Sequence, residues 1–226
     1  MRKWLTLYLC IILLPSLALS AQTNVLAQRK LAELDKRVPN INQQVLYLGL
    51  LAYENAKYQG YDKKRLLTII DLSYPSDHKR LWVIDLKTNQ LIFHTYVTHG
   101  VGSGFLYAKR FSNMSGSHAS SVGLFDTMGT YTGKVGYALR LKGLEKGFND
   151  HAYERAIVMH GADYADKAYI ERYGRLGRSW GCFAMPENIF RQVINTVKND
   201  SLIFSYYPIK VWLHQSYYLK NHSVPD

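Results

Sequence analysis

The sequence predicts a mainly β domain, a sandwich or barrel, behind a short N-terminal helical extension. Three observations predict it. From about residue 66 onward the chain runs in short apolar segments separated by glycine or turn-forming residues. Before that point apolar residues recur at helical spacing. One later segment, Pro186–Lys198, carries a helical stripe of its own.

Taken in chain order, Thr23–Lys36 places Leu26, Leu31 and Leu34 on one helical face, and Val38-Pro39 ends it. A longer helix follows over Ile41–Tyr58, with Val45, Leu46, Leu48, Leu50, Leu51 and Tyr53 apolar and Gly60 as its stop. Both helices are expected to pack against the domain that follows. Leu66–Leu72 is the first strand. Leu81–Leu86 and Leu91–Val97 form a hairpin around Lys87-Thr88-Asn89-Gln90. Further strands are expected at Val122–Phe125, Gly136–Leu141, Arg155–His160, Leu202–Ser205 and Ile209–Leu213. Pro186 is read as the first turn of the late helix, whose buried stripe is Ile189, Phe190, Val193, Ile194 and Val197. The glycine- and serine-rich stretch from Gly100 to Ser121 lacks the spacing of a dinucleotide fingerprint and has no Gly-Lys-Ser/Thr, so it is a long loop bordering a groove. No cofactor is expected.

The leader stands apart. Arg2 and Lys3 precede an apolar run from Trp4 to Leu19, and Ala18-Leu19-Ser20 precedes Ala21. That is the layout of a secretory signal cleaved after Ser20, and the run is shorter than the ~20 residues of a bilayer span. The chain therefore divides into a signal peptide (1–20), a helical extension (21–62) and a catalytic-size domain (63–226), exported to the periplasm and touching membrane only through the leader. Cys10 leaves with the signal, so the mature chain keeps one cysteine, Cys182, in a disulfide-permissive compartment with no partner. A lone thiol there is either shielded in a core or kept for its reactivity. The net charge of +11 suits an anionic partner such as cell-wall peptide carboxylates. No nucleic-acid motif accompanies the charge, so nucleic acid is not a predicted partner.

Two segments carry candidate chemistry. The apolar run Ala156–Met159 ends in His160-Gly161, which puts a histidine at the exit of a rigid strand. Downstream, Gly177-Arg178-Ser179-Trp180-Gly181-Cys182 sets a glycine immediately before the thiol. Such a glycine permits a tight turn and brings backbone N–H groups toward one spot, as an oxyanion hole requires. A thiol near its ordinary pKa of ~8.5 needs a neighbouring base to become a nucleophile. His160 can take that proton, with the Gly161 carbonyl or another backbone acceptor orienting the second ring nitrogen. Ser179 either hydrogen-bonds within the loop or takes part in catalysis. Trp180, Arg155 and Tyr137 are the candidate substrate-contacting residues, Arg155 as a carboxylate ligand or a structural ion pair. The remaining histidines lack metal-ligand spacing, and no metal is expected.

The pair His160-Gly161 followed by Ser179-x-Gly181-Cys182 resembles the catalytic domain of the murein L,D-transpeptidases (YkuD-like), whose signature is commonly His-Gly and then Ser/Thr-His-Gly-Cys. Leu141–Glu145, Asn149–Ala152 and Arg155 resemble a divergent branch of that family. Trp180 stands where the signature has a second histidine, and Ala184 where many members have Arg or Asn. The resemblance implies a Cys182 thioester formed on a peptidoglycan stem peptide and resolved by an amine of a second stem. Water as the acceptor makes the same site a carboxypeptidase or endopeptidase. A protein that kept the fold and lost turnover is a wall-binding protein.

Overall fold

The computed structural model describes residues 21–61 and 63–220. The secretory leader expected over 1–20 lies outside them. Among the described residues no helix is long and apolar enough to cross a membrane.

Two helices open the chain, α1 over residues 21–34 and α2 over Gln43–Tyr58. Asn42 caps α2 by accepting from the N–H groups of Gln44 (2.8 Å) and Val45 (3.3 Å). α2 is buried over most of its surface, Val45, Leu46, Leu48, Leu50 and Leu51 among the covered residues. Gly49 allows it to lie close on the sheet, since a Cβ there would meet Ile69 Cδ1 at 3.0 Å. Lys30 and Glu33 of α1 grip Asn89 in the hairpin turn at 2.8 and 2.9 Å.

Eight strands follow: β1 (Leu66–Asp71), β2 (Leu81–Asp85), β3 (Gln90–Thr95), β4 (Gly123–Gly133), β5 (Gly136–Gly143), β6 (Val158–Gly161), β7 (Phe183–Met185) and β8 (Leu202–Tyr206). They form one sheet in the order β3-β2-β1-β8-β4-β5-β6-β7. The β1–β8 and β6–β7 pairs are parallel and the rest antiparallel. The sheet curls until its ends meet: Thr98, just past β3, donates its N–H to Ala184 O of β7 at 2.9 Å, and Ala184 N–H returns to Thr98 Oγ1 at 3.2 Å. The result is a nearly closed barrel, the architecture that removes exposed sheet edges. One core lies between the sheet and α1, α2 and the C-terminal helix. A second fills the opposite face under α4 (Phe190–Val197).

Several boundaries differ from the sequence expectation. Ile209–Leu213, expected as a strand, is the helix α5 (Lys210–Gln215). Trp212 and Leu213 are buried, and Trp212 Nε1–H donates to Glu145 Oε2 at 2.9 Å. α4 starts at Phe190, not Pro186, because the Pro186 carbonyl first accepts from Ile189 and Phe190 in a turn. β6 starts only at Val158, since Ala156 sits at φ 53, outside strand geometry. β7 and the short helix α3 (Lys167–Tyr173) carry too few residues to show a periodicity.

Candidate active site

The catalytic candidates come together where β6 and β7 run in parallel. Their register pairs Met159 with Phe183 and His160 with Ala184, so Cys182, one residue before β7, lies alongside Val158. Cys182 and His160 line one groove of ≈ 740 Å³, together with Ser179, Trp180, Tyr164, Tyr131 and the cations Lys134, Arg155 and Arg178. Among the described residues no carboxylate lines it.

His160 is 4% exposed, and its Nδ1 lies 2.7 Å from the carbonyl of Gly161. Since a carbonyl only accepts, Nδ1 carries the proton and Nε2 keeps its lone pair, the form a general base needs. Burial pulls the imidazole pKa below its usual value, opposed by the Gly161 carbonyl and by Glu187. Gly161 is small for a packing reason: a Cβ would meet the Phe190 ring at 2.5 Å.

Cys182 is half-buried and is the free cysteine of the described residues. Burial pushes its thiol up, while the Val158 N–H and the charge of Arg155 draw it back toward the thiolate. Its Sγ also lies 3.6 Å from Ala156 O. The preceding Gly181 has φ 112, and a Cβ there would run into Ala119 O and Ile157 Cδ1, both at 2.8 Å, so glycine is required.

The loop around the thiol is held by Ser179, whose Oγ accepts from Gly181 N–H (3.1 Å) and donates to the Cys182 carbonyl (2.7 Å). Both hydrogen-bonding functions of the Ser179 hydroxyl are thus engaged within the loop. It also corrects the expected oxyanion donors: the Gly181 amide is committed to Ser179, so Gly181 contributes its conformation and not its N–H. Arg155 likewise is no free carboxylate clamp. Its Nη1 donates to Ser112 O and Ser121 Oγ (2.6 and 2.7 Å), and its Nη2 to Ala119 O and Ser117 Oγ (2.7 and 3.2 Å). Arg155 thus ties the serine-rich loop beside the thiol and acts on it by charge. Tyr137 is absent from the groove lining. It faces α4, where its hydroxyl donates to Asn195 Oδ1 at 2.7 Å. Alternation along β5 sends Tyr137 to the core with Leu139, while its neighbour Ala138 pairs with His160. Trp180 stands at the groove, 72% exposed, its indole flat on His118 at 4.6 Å and 9°.

Sequence reasoning missed a buttress behind this loop. Arg80 and His99 are both fully buried. Arg80 donates to Val97 O through Nε (3.1 Å) and Nη2 (3.0 Å), to Tyr74 O (2.8 Å), and to His99 Nδ1 (2.9 Å). Accepting at Nδ1 makes Nε2 the donor of His99, toward Gly104 O. Burial and then Arg80 drive the His99 pKa down to about 3, so the ring stays neutral. The backbone of the same residue holds the thiol loop: Ser179 N–H donates to His99 O at 3.1 Å and Val101 N–H to Ser179 O at 2.8 Å. Tyr164 was missed too. It lines the groove and packs on Gly177, and burial followed by the charge of Cys182 pushes its hydroxyl up to about 12. Isolated residues of this kind belong to no motif, so nothing in the sequence marks them.

Among solved structures the chain is similar to an L,D-transpeptidase from Mycobacterium smegmatis (10% identity, TM-score 0.41, covering 63% of this chain and 59% of that one). It is also similar to L,D-transpeptidase 3 from Mycobacterium tuberculosis (11%, 0.40, 63% and 61%). A third is the L,D-transpeptidase (Yku) from Stackebrandtia nassauensis (14%, 0.38, 77% and 74%). The chain spans about three-fifths of the length of the two mycobacterial structures. No curated protein matches. The family model for the L,D-transpeptidase catalytic domain matches residues 37–206, a stretch that takes in α2, all eight strands and both His160 and Cys182. The chain belongs to the L,D-transpeptidase catalytic domain family.

Proposed function

We propose that the chain is a cysteine-dependent L,D-transpeptidase that cross-links peptidoglycan stem peptides in the periplasm, where a signal peptide over residues 1–20 delivers it. The observation that carries this reading is the tautomer of His160, fixed by Gly161 O at 2.7 Å, in the same groove as a half-buried thiol. His160 Nε2 takes the Cys182 proton as Sγ attacks the carbonyl at the L-centre of diaminopimelate in a tetrapeptide stem. The C–N bond to D-Ala breaks, the imidazolium returns its proton to the departing amine, and a thioester remains. An amine of a second stem then attacks the thioester, giving its proton to His160, and the thiol is regenerated with a new amide formed.

The charges favour this assignment. Lys134, Arg155 and Arg178 give the groove a positive field suited to the carboxylates of a stem peptide. With the Gly181 amide committed to Ser179, the Cys182 N–H is the backbone donor we assign to the tetrahedral oxyanion.

The test is mass spectrometry of the mature protein incubated with disaccharide-tetrapeptide, with Cys182→Ala in parallel. The expected result is a thioester adduct on Cys182, release of D-Ala and cross-linked dimers. All three should be absent from the alanine variant, whose turnover falls by about 10³-fold or more. Shortened monomers without dimers would make water the acceptor. A folded protein that gives neither adduct nor product would leave a wall-binding protein.

A further inference from the structure

The helix α3 buries none of its seven residues. Two turns of helix do not sustain themselves in water, so this one is held at its ends. Asp166 accepts from Tyr169 N–H at 2.9 Å, and Gly174 closes it at φ 69. What it displays is a ladder of rings and guanidinium groups. Tyr169 and Tyr173 lie 4.4 Å apart, with Arg172 at 5.3 Å over the Tyr173 ring. A second group is centred on Phe105, from the glycine-rich loop, with Arg178 at 4.2 Å and Arg175 at 5.8 Å from its ring centre. Phe105 is 67% exposed and Tyr173 50%. The one acid of α3, Glu171, pairs with Lys167 at 3.3 Å and leaves the arginine charge in place. Arg178 is fixed by Gly104 O at 3.0 Å and also lines the thiol groove, so the Phe105 end of the strip borders the candidate active site.

The geometry points to this strip as an exosite for a polymer of N-acetylated sugars, the glycan strand from which the stem peptides hang. Exposed rings, each backed by a guanidinium group, offer a flat apolar face that matches the C–H faces of pyranose rings. Guanidinium groups beside the rings present fixed donors to acetamido carbonyl oxygens. A free peptide would need the charge but not the exposed aromatic rings. The choice of sugar rests on the stem-peptide reading of the groove, because a stem seated at Cys182 brings its glycan with it.

The experiment titrates the Cys182→Ala protein with the β-1,4-linked tetramer of N-acetylglucosamine by calorimetry. The same protein carrying Phe105→Ala and Tyr173→Ala is run beside it. Both rings are exposed, so the double variant keeps its fold, which a thermal melt checks. Saturable binding weakened about tenfold or more by the double substitution is expected. Turnover of a sugar-free stem tetrapeptide, measured with Cys182 present, should be unchanged by Tyr173→Ala alone, whose ring contacts Tyr169 and Arg172 and not the groove. Failure of the tetramer to bind, equal binding by the double variant, or a strip that captures the sugar-free peptide instead would each overturn the exosite. Sugar binding without turnover of any stem peptide would leave the exosite standing and remove the acyltransferase reading.

Discussion

At the scale of single residues, the resting chemistry is set by two opposed pKa shifts. Burial lowers the His160 imidazole and raises the Cys182 thiol, so the pair rests as neutral imidazole and neutral thiol. Activation then waits for substrate, which displaces water and supplies the carbonyl. The sign follows for each limb of a pH profile. A base with a depressed pKa stays competent to lower pH, so the acid limb of kcat/KM should fall below the ordinary imidazole value of about 6.5. Alkylation of the resting enzyme by iodoacetamide should be slow at neutral pH and rise only near or above the ordinary thiol value of about 8.5. Fast alkylation that is flat from pH 5 upward would show a preformed ion pair and contradict this account. His160 and Cys182 stood out in the sequence because His160 ends an apolar run just before a glycine and Cys182 directly follows one. Tyr137 was misplaced because strand parity was not fixed by the pattern of β5.

At the scale of elements, the site is a crossing of two loops over one parallel strand pair. The Gly100–Ser121 loop lies under the thiol loop: Ser120 Oγ accepts from Gly100 N–H (3.1 Å) and donates to Gly181 O (3.2 Å). Glycine at position 100 is required because a Cβ would meet His118 O at 2.2 Å. Behind both loops stands the Arg80–His99 buttress. Its removal should act on catalysis as well as on stability, since His99 O holds Ser179 and Ser179 holds the Cys182 carbonyl. His99→Ala is expected to lower kcat about tenfold or more with a smaller change in KM, and His99→Gln, which can still accept from Arg80 and donate to Gly104, to recover part of it. Steady-state kinetics on folded protein, with the melt as control, decides it. A lower melting temperature with unchanged kcat would reduce the buttress to a structural role.

At the scale of the whole molecule, the barrel is closed from both sides by polar ties across long sequence separations. Thr98 joins the end of β3 to β7. Glu145, 3% exposed, joins the β4–β5 region to the C-terminal helix: Oε1 accepts from Leu124 N–H at 2.7 Å and Oε2 from Trp212 Nε1–H at 2.9 Å. Asn149 completes the knot by accepting from Glu145 N–H (2.8 Å) and donating to Leu124 O (2.9 Å). Burial raises the Glu145 pKa above its usual value. A carboxyl with a raised folded-state pKa favours the folded state below its unfolded pKa, and that contribution is lost as pH rises through the folded value. Glu145→Gln turns one acceptor oxygen into a donor facing another N–H and should cost about 1–3 kcal/mol in chemical unfolding. An unchanged midpoint would mean that the knot carries no stability.

By itself the sequence determined the mainly β class, the two N-terminal helices, most strands, and the two residues with the strongest chemical signature. These are local properties: periodicity, glycine punctuation, and a nucleophile or base set against a small neighbour. The tertiary structure alone decided which N–H groups point at the thiol, that Arg155 is spent on a serine-rich loop, that Tyr137 faces α4, and that Arg80 and His99 stand behind Ser179. It also decided that residues 209–213 coil, because Trp212 reaches Glu145 sixty-seven positions away. Each of these depends on contacts between segments distant in the chain, where burial and hydrogen-bond satisfaction override local preference, and no single window of sequence contains both partners.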